Sequence, residues 1–241
     1  MSVASTAGFE VLTDPASVAQ RMARWMTALA LAKDGIFAVA LSGGSTPRKL
    51  YETLAGPDFR DDFPWPRVQW FWGDERFVPP EDSMSNYRMA WETMLSRVPV
   101  SPSRIHAIAT EGVTPDGAAL RYERELRSFY GAQSLDPARP LFDLVLLGLG
   151  TDGHTASLFP GSAALAECER WAAATELGSQ ARITLTYPAL QSSAHAVFMV
   201  TGADKRDILA KLRRGDAALP AARLRPIGEL HYFVDAAAAG T

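Results

Sequence analysis

The chain has 241 residues, of which 47% are hydrophobic and 21% are charged, values typical of one globular α/β domain spanning residues 1–241. Its formal net charge of -3 excludes a general attraction to nucleic acid or to anionic membranes, and its single cysteine, Cys168, excludes an internal disulfide. The sequence has no signal peptide, no apolar run of about 20 residues and no zinc-type spacing of Cys and His, so we expect a cytoplasmic protein without a metal.

Hydrophobic periodicity predicts strands that alternate with helices along most of the chain. The first helix is predicted from residue 16 to about residue 33, because Asp14 and Pro15 form a start signal before apolar residues at helical spacing. Strands are predicted at residues 9–12, 36–41, 68–72, 144–147, 171–175, 182–186, 195–201 and 230–234, with a short strand or an extended segment at 105–108. Further helices are predicted at residues 47–55, 86–95, 115–130 and 205–213, with short helices or turns at 163–168 and from 188, and a frayed tail at 236–241. This order favours a three-layer α/β/α, Rossmann-like fold with a mostly parallel central sheet and room for a small β appendage.

The hexapeptide SGGSTP, residues 42–47, lies between a predicted buried strand and the start of a predicted helix. Free backbone N–H groups, the helix dipole and hydroxyl donors are what an anion-binding turn requires. The lysine of a P-loop and the GxGxxG pattern of a dinucleotide site are both missing, so a monophosphate is a better candidate ligand than a nucleotide. The alternative interpretation is a capped βα turn that binds nothing.

A second polar cluster, GDER at residues 73–76, follows the predicted strand 68–72 and precedes a long loop, residues 77–85. Long polar loops at strand ends often carry functional residues. Composition alone favours a solvated run of charges at residues 74–76, whereas the position after a strand favours a functional role.

A third cluster, GLGTDGH at residues 148–154, follows the wholly apolar strand predicted at 144–147. Three glycines allow the backbone to approach a ligand and to adopt positive φ. His154 is a candidate for proton transfer, because the ordinary pKa of histidine lies near neutrality. The alternative is a βα turn in which the aspartate caps a helix and the histidine has no chemical role.

Four polar clusters thus fall directly after predicted strands, at residues 42–46, 73–76, 148–155 and 201–205. Because the carboxyl ends of parallel strands share one edge of a sheet, we expect these clusters to converge on one site.

Four motifs in this order carry a family resemblance: SGGSTP, GDERFVPP with SNYRM, GLGTDGHTASLFPG, and RITLTYPAL with GADK. Together they resemble the family of 6-phosphogluconolactonases and glucosamine-6-phosphate isomerases over nearly the whole chain. The long third motif favours the lactonase branch. The resemblance implies hydrolysis of 6-phosphogluconolactone to 6-phosphogluconate in the oxidative pentose phosphate pathway, by a monomer that uses no metal or organic cofactor.

The resemblance also implies roles for individual residues. His154 corresponds to the proposed general base, and Arg76 is expected near the lactone end of the substrate. Asp74 aligns with an aspartate that acts as the base in the deaminases, and here we expect it to position water or Arg76. Asp152 is expected to orient the loop or to bind sugar hydroxyls. The phosphate is expected to contact Gly43, Gly44, Ser45, Thr46, Arg182 and Lys205.

Three other functions are less compatible with the sequence than the lactonase. A glucosamine-6-phosphate deaminase resembles this chain but has a glutamate five residues after the histidine, where this chain has Phe159, and an aromatic residue in place of Arg76. A sugar-phosphate-sensing regulator needs a DNA-binding module, for which the chain has no basic segment. A binding protein without activity is disfavoured by the intact glycine loop. The remaining histidines, His106, His195 and His231, are predicted to be structural.

Overall fold

Strands and helices alternate along residues 6–241, the part of the chain that the computed structural model describes. The strands are β1 (Thr6–Leu12), β2 (Phe37–Leu41), β3 (Val68–Trp72), β4 (Asp74–Arg76), β5 (Phe142–Leu147), β6 (Ala172–Leu177), β7 (Gln180–Leu185), β8 (Ser193–Val200) and β9 (Glu229–Asp235). The α-helices are α1 (Pro15–Ala32), α2 (Ser45–Leu54), α3 (Asn86–Thr93), α4 (Pro115–Tyr130), α5 (Tyr187–Gln191), α6 (Arg206–Arg213) and α7 (Ala236–Ala239). Within these residues, no helix combines the length and apolar content needed to cross a membrane.

Six parallel strands form the central sheet, in the spatial order β1–β9–β8–β5–β2–β3. Every residue of β2 and of β3 is buried, which explains why β2 is wholly apolar and why Gln69 is the one polar residue of β3. The chain runs outward from β2 to β3 and then returns through β5, β8 and β9 on the other side. The order therefore reverses between β2 and β5, and open α/β sheets place their ligand sites at such a switch point. The predicted mostly parallel α/β fold is confirmed.

A small antiparallel sheet, in the order β4–β7–β6, is joined to the central one through Gly73. The Gly73 N–H donates to the Leu41 carbonyl at 2.8 Å, and the Gly73 carbonyl accepts from the Leu185 N–H at 2.8 Å. A Cβ at Gly73 would lie 3.3 Å from the Leu41 oxygen, so glycine suits this junction. The small sheet confirms the predicted β appendage. Residues 74–76, which were predicted only as a polar cluster, form its strand β4.

Two buried tyrosines fix the strand ends that border the switch point. The Tyr51 hydroxyl donates to the Ser42 carbonyl at 2.7 Å and accepts from the Ser42 N–H at 3.0 Å. Tyr122 bonds both backbone groups of Trp72 in the same way, at 2.9 and 2.8 Å. Burial raises the pKa of both phenols, so they stay neutral donors. The loops that leave β2 and β3 therefore start from fixed positions.

Residues 105–108, predicted as a short strand or an extended segment, form no strand, because only Ile105 pairs with the sheet, in an isolated bridge to Trp70. The prediction for the tail was wrong. Residues 236–239 form α7 instead of a frayed tail, because the Asp235 carboxylate accepts from the Ala238 N–H at 2.8 Å and caps the helix.

Candidate active site

A cleft of about 290 Å³ lies at the carboxyl ends of β2 and β5, where the strand order reverses. It receives residues from all four polar clusters that follow the strands. Its lining comprises Ser42, Gly43, Gly44, Asp74, Arg76, Asn86, Gly148, Leu149, Gly150, Thr151, His154, Ala156, Arg182 and Lys205. The structure therefore brings the four predicted clusters to one place.

The loop after β2 supplies backbone N–H groups to one end of the cleft. Gly44 has a φ of 103° and precedes α2, whose N-terminus has no side-chain cap. The helix dipole and the uncapped N–H groups make this end of the cleft favourable for an anion. Ser45 and Thr46 lie in the first turn of α2, outside the lining, and the Thr46 hydroxyl bonds that of Thr201 at 2.7 Å. Thr46 thus ties this loop to the loop after β8.

The loop after β5 folds back on itself to present His154. The Gly150 N–H donates to the His154 carbonyl at 2.9 Å, and the Gly153 N–H donates to the Gly150 carbonyl at 3.0 Å. Gly153 has a φ of 85°, and a Cβ at Gly150 would lie 2.1 Å from the His154 Nδ1 atom. Both glycines are therefore required by the backbone turn and by the imidazole beside it.

His154 and Asp152 form a hydrogen-bonded pair in this loop. The imidazole Nδ1 lies 2.5 Å from the Asp152 Oδ1 atom, which also accepts the His154 backbone N–H at 3.1 Å. Burial of the Asp152 carboxyl opposes its ionisation, but these hydrogen bonds outweigh it and hold the pKa of Asp152 below its usual range. An ionised Asp152 selects the tautomer with a proton on Nδ1, which leaves Nε2 as a proton acceptor. Asp152 thus supports the cleft without lining it.

Two arginines face the cleft from the small sheet. The β4–β7 register places Arg76 opposite Arg182 and Asp74 opposite Thr184, so these side chains share one face. The Nε atoms of both arginines are buried and have no hydrogen-bond partner in the described chain. Burial lowers the pKa of Arg182, an effect that Asp74 opposes and Arg76 reinforces, yet the guanidinium stays charged at neutral pH. Two adjacent cations with free donors suit an anionic ligand.

The Asp74 carboxylate is buried and already has donors around it. It accepts the Ser157 hydroxyl at 2.6 Å, and the Arg182 Nη1 atom lies 4.0 Å away. The Asn86 amide lies 3.5 Å from its other oxygen and donates to the Asp74 backbone carbonyl at 2.9 Å. This arrangement suits a residue that orients its neighbours better than one that accepts a proton from substrate.

Asn86 is a cleft residue that the sequence predicted only as the start of a helix, for which Ser85 is the N-cap. The buried Glu75 carboxylate accepts the N–H groups of Asn86 and Tyr87, both at 2.7 Å, and so anchors the start of α3. Burial raises the pKa of Glu75 to about 7, against the effect of these hydrogen bonds. The Asn86 amide then fills the space beside Gly43, where a Cβ would lie 2.0 Å from the Asn86 oxygen. The signal in the sequence was the SNYRM segment that follows GDER.

Lys205 reaches the cleft from the loop after β8. Its ammonium lies 3.6 Å from the Asp204 carboxylate, and its side chain is 24% exposed. With Arg76 and Arg182 it makes the cleft cationic, although the whole chain carries a net charge of -3. The local charge therefore favours a small anion in this cleft.

The sequence model of one protein family matches residues 13–232, and its description is Glucosamine-6-phosphate isomerases/6-phosphogluconolactonase. The chain belongs to this family. A 6-phosphogluconolactonase from Nostoc sp. is 40% identical over 235 residues, which cover 95% of each chain. One from Synechocystis sp. is 40% identical over 86% of this chain and 85% of its own.

Solved structures of family members have the same fold. The crystal structure of a 6-phosphogluconolactonase from Thermotoga maritima has a TM-score of 0.78 and 32% identity, and covers 94% of this chain and 98% of its own. A monomeric glucosamine-6-phosphate deaminase has a TM-score of 0.83 at 18% identity, over 97% of this chain and 99% of its own. The second likeness shows the fold alone, so similarity of fold does not separate the two activities.

Phe159 stands where the resemblance predicts a glutamate in the deaminases. Its ring lies 4.7 Å from the His154 ring and 5.5 Å from the Arg182 guanidinium carbon. An apolar side chain here supplies no second acid or base beside His154. The surroundings of His154 thus contain one carboxylate, Asp152, within hydrogen-bond distance.

Proposed function

We propose that this protein hydrolyses 6-phospho-D-glucono-1,5-lactone to 6-phospho-D-gluconate, a step of the oxidative pentose phosphate pathway. One observation carries the proposal: His154, which is hydrogen-bonded to Asp152, lines the same cleft as Arg76, Arg182 and Lys205. A phosphorylated lactone needs both parts, a base for water and cations for phosphate. The relatives named as 6-phosphogluconolactonases support this choice of substrate.

The phosphate binds first, at the N-terminus of α2. The backbone N–H groups of residues 43–46, the hydroxyls of Ser45 and Thr46, Arg182 and Lys205 are the proposed donors. Each charge-assisted hydrogen bond contributes about 1.5–3 kcal/mol. Because the phosphate is remote from the lactone carbonyl, this binding energy holds the carbonyl near His154.

Water then attacks the lactone carbonyl. Asp152 accepts a hydrogen bond from the Nδ1–H group of His154, so the free Nε2 atom takes a proton from the attacking water. Such general-base assistance contributes about 10²–10⁴-fold. The oxyanion accepts hydrogen bonds from Arg76 or from the glycine loop. When the ester bond breaks, the ring oxygen takes the proton from Nε2 and becomes the 5-hydroxyl, which completes the addition of one water molecule.

Asp74 acts as a positioning residue in this scheme. Its contacts with Ser157 and Arg182 hold the loop after β5 and the small sheet in register with each other. We place it in the catalytic machinery through Arg182 and Arg76, and we assign it no proton transfer.

The wider setting of the protein also belongs to this proposal. We propose that residues 1–241 act as one catalytic unit, as a monomer in the cytoplasm. The reaction as written needs only water as co-substrate, so no organic cofactor or metal takes part in it.

The direct test follows the consumption of freshly generated 6-phosphogluconolactone by ³¹P NMR, with and without the protein. We expect hydrolysis at least about 100-fold faster than the spontaneous reaction, and much slower turnover of unphosphorylated glucono-1,5-lactone. As a control, Glu176→Gln changes an exposed residue at the end of β6, and it should keep the rate. A rate equal to the spontaneous one, or release of ammonia from glucosamine 6-phosphate, would contradict the proposal.

A further inference from the structure

Three metal-ligating side chains converge far from the cleft, at the amino-terminal edge of the central sheet. Glu229 and His231 are two residues apart on β9, so their side chains share a face of the sheet. His195 on β8 pairs in register with Glu229. From His195 to Thr201, which lies at the other edge, a strand advances about 20 Å. The cluster is therefore separate from the proposed lactonase site.

The donor atoms already have the spacing of ligands around one ion. The Glu229 Oε2 atom lies 3.1 Å from His231 Nε2 and 3.4 Å from His195 Nδ1. The ligand atoms of all three residues lie within 4.8 Å of one another. In a tetrahedral zinc site, bonds of about 2.0–2.2 Å place neighbouring ligand atoms about 3.3 Å apart. Two of the three spacings match this geometry without movement of the backbone.

The His195 Nδ1 atom is available as a metal ligand, because it is buried and has no hydrogen-bond partner in the described chain. The His231 ring directs its Nε2 atom towards Glu229. Its Nδ1 atom lies beside Gly8, where a Cβ added to that glycine would be 3.5 Å from it.

The surroundings hold the histidines in place and leave one side open. The Trp25 ring of α1 packs against the rings of His195 and His231, with centroids 5.4 and 4.4 Å apart. The Glu229 side chain is 51% exposed, which gives an ion a path to the site and room for a water ligand. The nearby cations are neutralised, because Lys33 pairs with Asp143 at 2.8 Å and Arg21 pairs with Glu10 at 2.9 Å.

We propose that His195 Nδ1, Glu229 Oε2 and His231 Nε2 bind a transition-metal dication of the Zn²⁺ type, with water in the fourth position. Two histidines and a glutamate are one of the ligand sets that proteins use for zinc. Such an ion links β8 to β9 beneath α1, so it stabilises the amino-terminal edge of the sheet. The spacing of residues along the sequence does not show the site, because it is formed by two strands that are distant in sequence.

The test uses the full chain after removal of metals with a chelator and dialysis. Titration with Zn²⁺ by calorimetry should give one site per chain with a dissociation constant in the micromolar range, and Co²⁺ should give the visible absorption of a tetrahedral ion. Glu229→Gln and His231→Gln should each weaken Zn²⁺ binding at least about tenfold. Glu229 is exposed, so its variant is expected to fold and provides the decisive comparison even if a histidine variant does not.

His154→Ala is the matched control, because His154 and Asp152 form another histidine–carboxylate pair that can hold zinc. Zn²⁺ affinity unchanged in His154→Ala but lost in Glu229→Gln supports the proposed site. Affinity lost in His154→Ala and retained in Glu229→Gln places the ion in the cleft and overturns it. The absence of binding up to millimolar Zn²⁺ also overturns it.

Discussion

Two histidine–carboxylate clusters lie at opposite edges of the same parallel sheet. His154 sits on a glycine loop with one carboxylate, Asp152, and faces a cationic cleft. His195 and His231 sit on two paired strands, share the carboxylate of Glu229 and pack against Trp25. A single partner on one imidazole nitrogen leaves the other nitrogen available for proton transfer. Two imidazoles directed at one carboxylate instead suit a bound cation. The difference shows that the partners around a histidine indicate its chemistry better than the presence of a histidine in the sequence does.

Among the variants, His154→Ala should have the largest effect on the rate of lactone hydrolysis. An unchanged rate would contradict the proposed difference between the two histidine clusters. The lost base should lower kcat about 10²–10⁴-fold, while the cationic end of the cleft still binds 6-phosphogluconate. Initial rates with fresh lactone and calorimetry with the product measure the two quantities. An equal loss of rate and of product affinity would instead indicate that the cleft had collapsed.

Gly150→Ala tests whether the loop itself places the imidazole. The new Cβ would lie 2.1 Å from the His154 Nδ1 atom, so the ring must leave Asp152, and we expect a loss of kcat of about 10²-fold. Gly148→Ala is the matched comparison, because its Cβ would meet only the Ser42 hydroxyl at 3.8 Å. A loss of rate no larger for Gly150→Ala than for Gly148→Ala would show that this packing does not matter.

Arg182→Ala separates binding of the phosphate from the chemical step. Removal of one charge-assisted donor should raise KM about 10–100-fold, with a smaller change in kcat. Arg182→Lys should recover part of the loss, because it restores the charge without the planar donor pair. Steady-state kinetics with the phosphorylated and unphosphorylated lactones measure the effect, which should vanish for the unphosphorylated one.

The smallest expected effect concerns the stability of the metal-free protein and the cluster of His195, Glu229 and His231. The folded-state pKa values of His195 and His231 lie below the ordinary value of 6.5, so the unfolded chain binds these protons more tightly. The free energy of unfolding should therefore fall as the pH drops through and below about 6.5. Glu229 and Asp143 oppose this trend, and Arg21 reinforces it for His231. Urea denaturation between pH 5 and 8 should show a shallower fall for His231→Gln, and an identical fall would contradict this assignment.

The sequence predicted the central sheet well, because its inner strands, such as β2 and β5, are almost wholly buried and mostly apolar. Residues 68–72 were predicted with the bounds that β3 has. The strand at residues 74–76 was missed, because three polar residues pair with β7, which is remote in sequence. The tail was predicted as frayed because its alanines carry no periodic signal. It forms the helix α7 because the Asp235 carboxylate caps the helix N-terminus.

The cleft was predicted from the rule that polar clusters after parallel strands converge. That rule cannot place individual side chains: Ser45, Thr46 and Asp152 lie beside the cleft and outside its lining, and their predicted contacts with substrate stay predictions. Asn86 was missed because its position depends on the buried Glu75 carboxylate at the start of α3. The cluster of His195, Glu229 and His231 was missed because the sequence of one strand does not show its register with the next. That register places His195 on β8 opposite Glu229 on β9.

Chemical rescue of His154→Ala by added imidazole tests the proposed base most directly. The rate of lactone hydrolysis by this variant is measured with increasing imidazole, and the catalysis by imidazole alone is subtracted. We predict a kcat at least about 100-fold below that of the wild-type protein, which imidazole raises in a saturable way while the wild-type rate stays constant. A His154→Ala protein that hydrolyses the lactone at the wild-type rate would contradict the account.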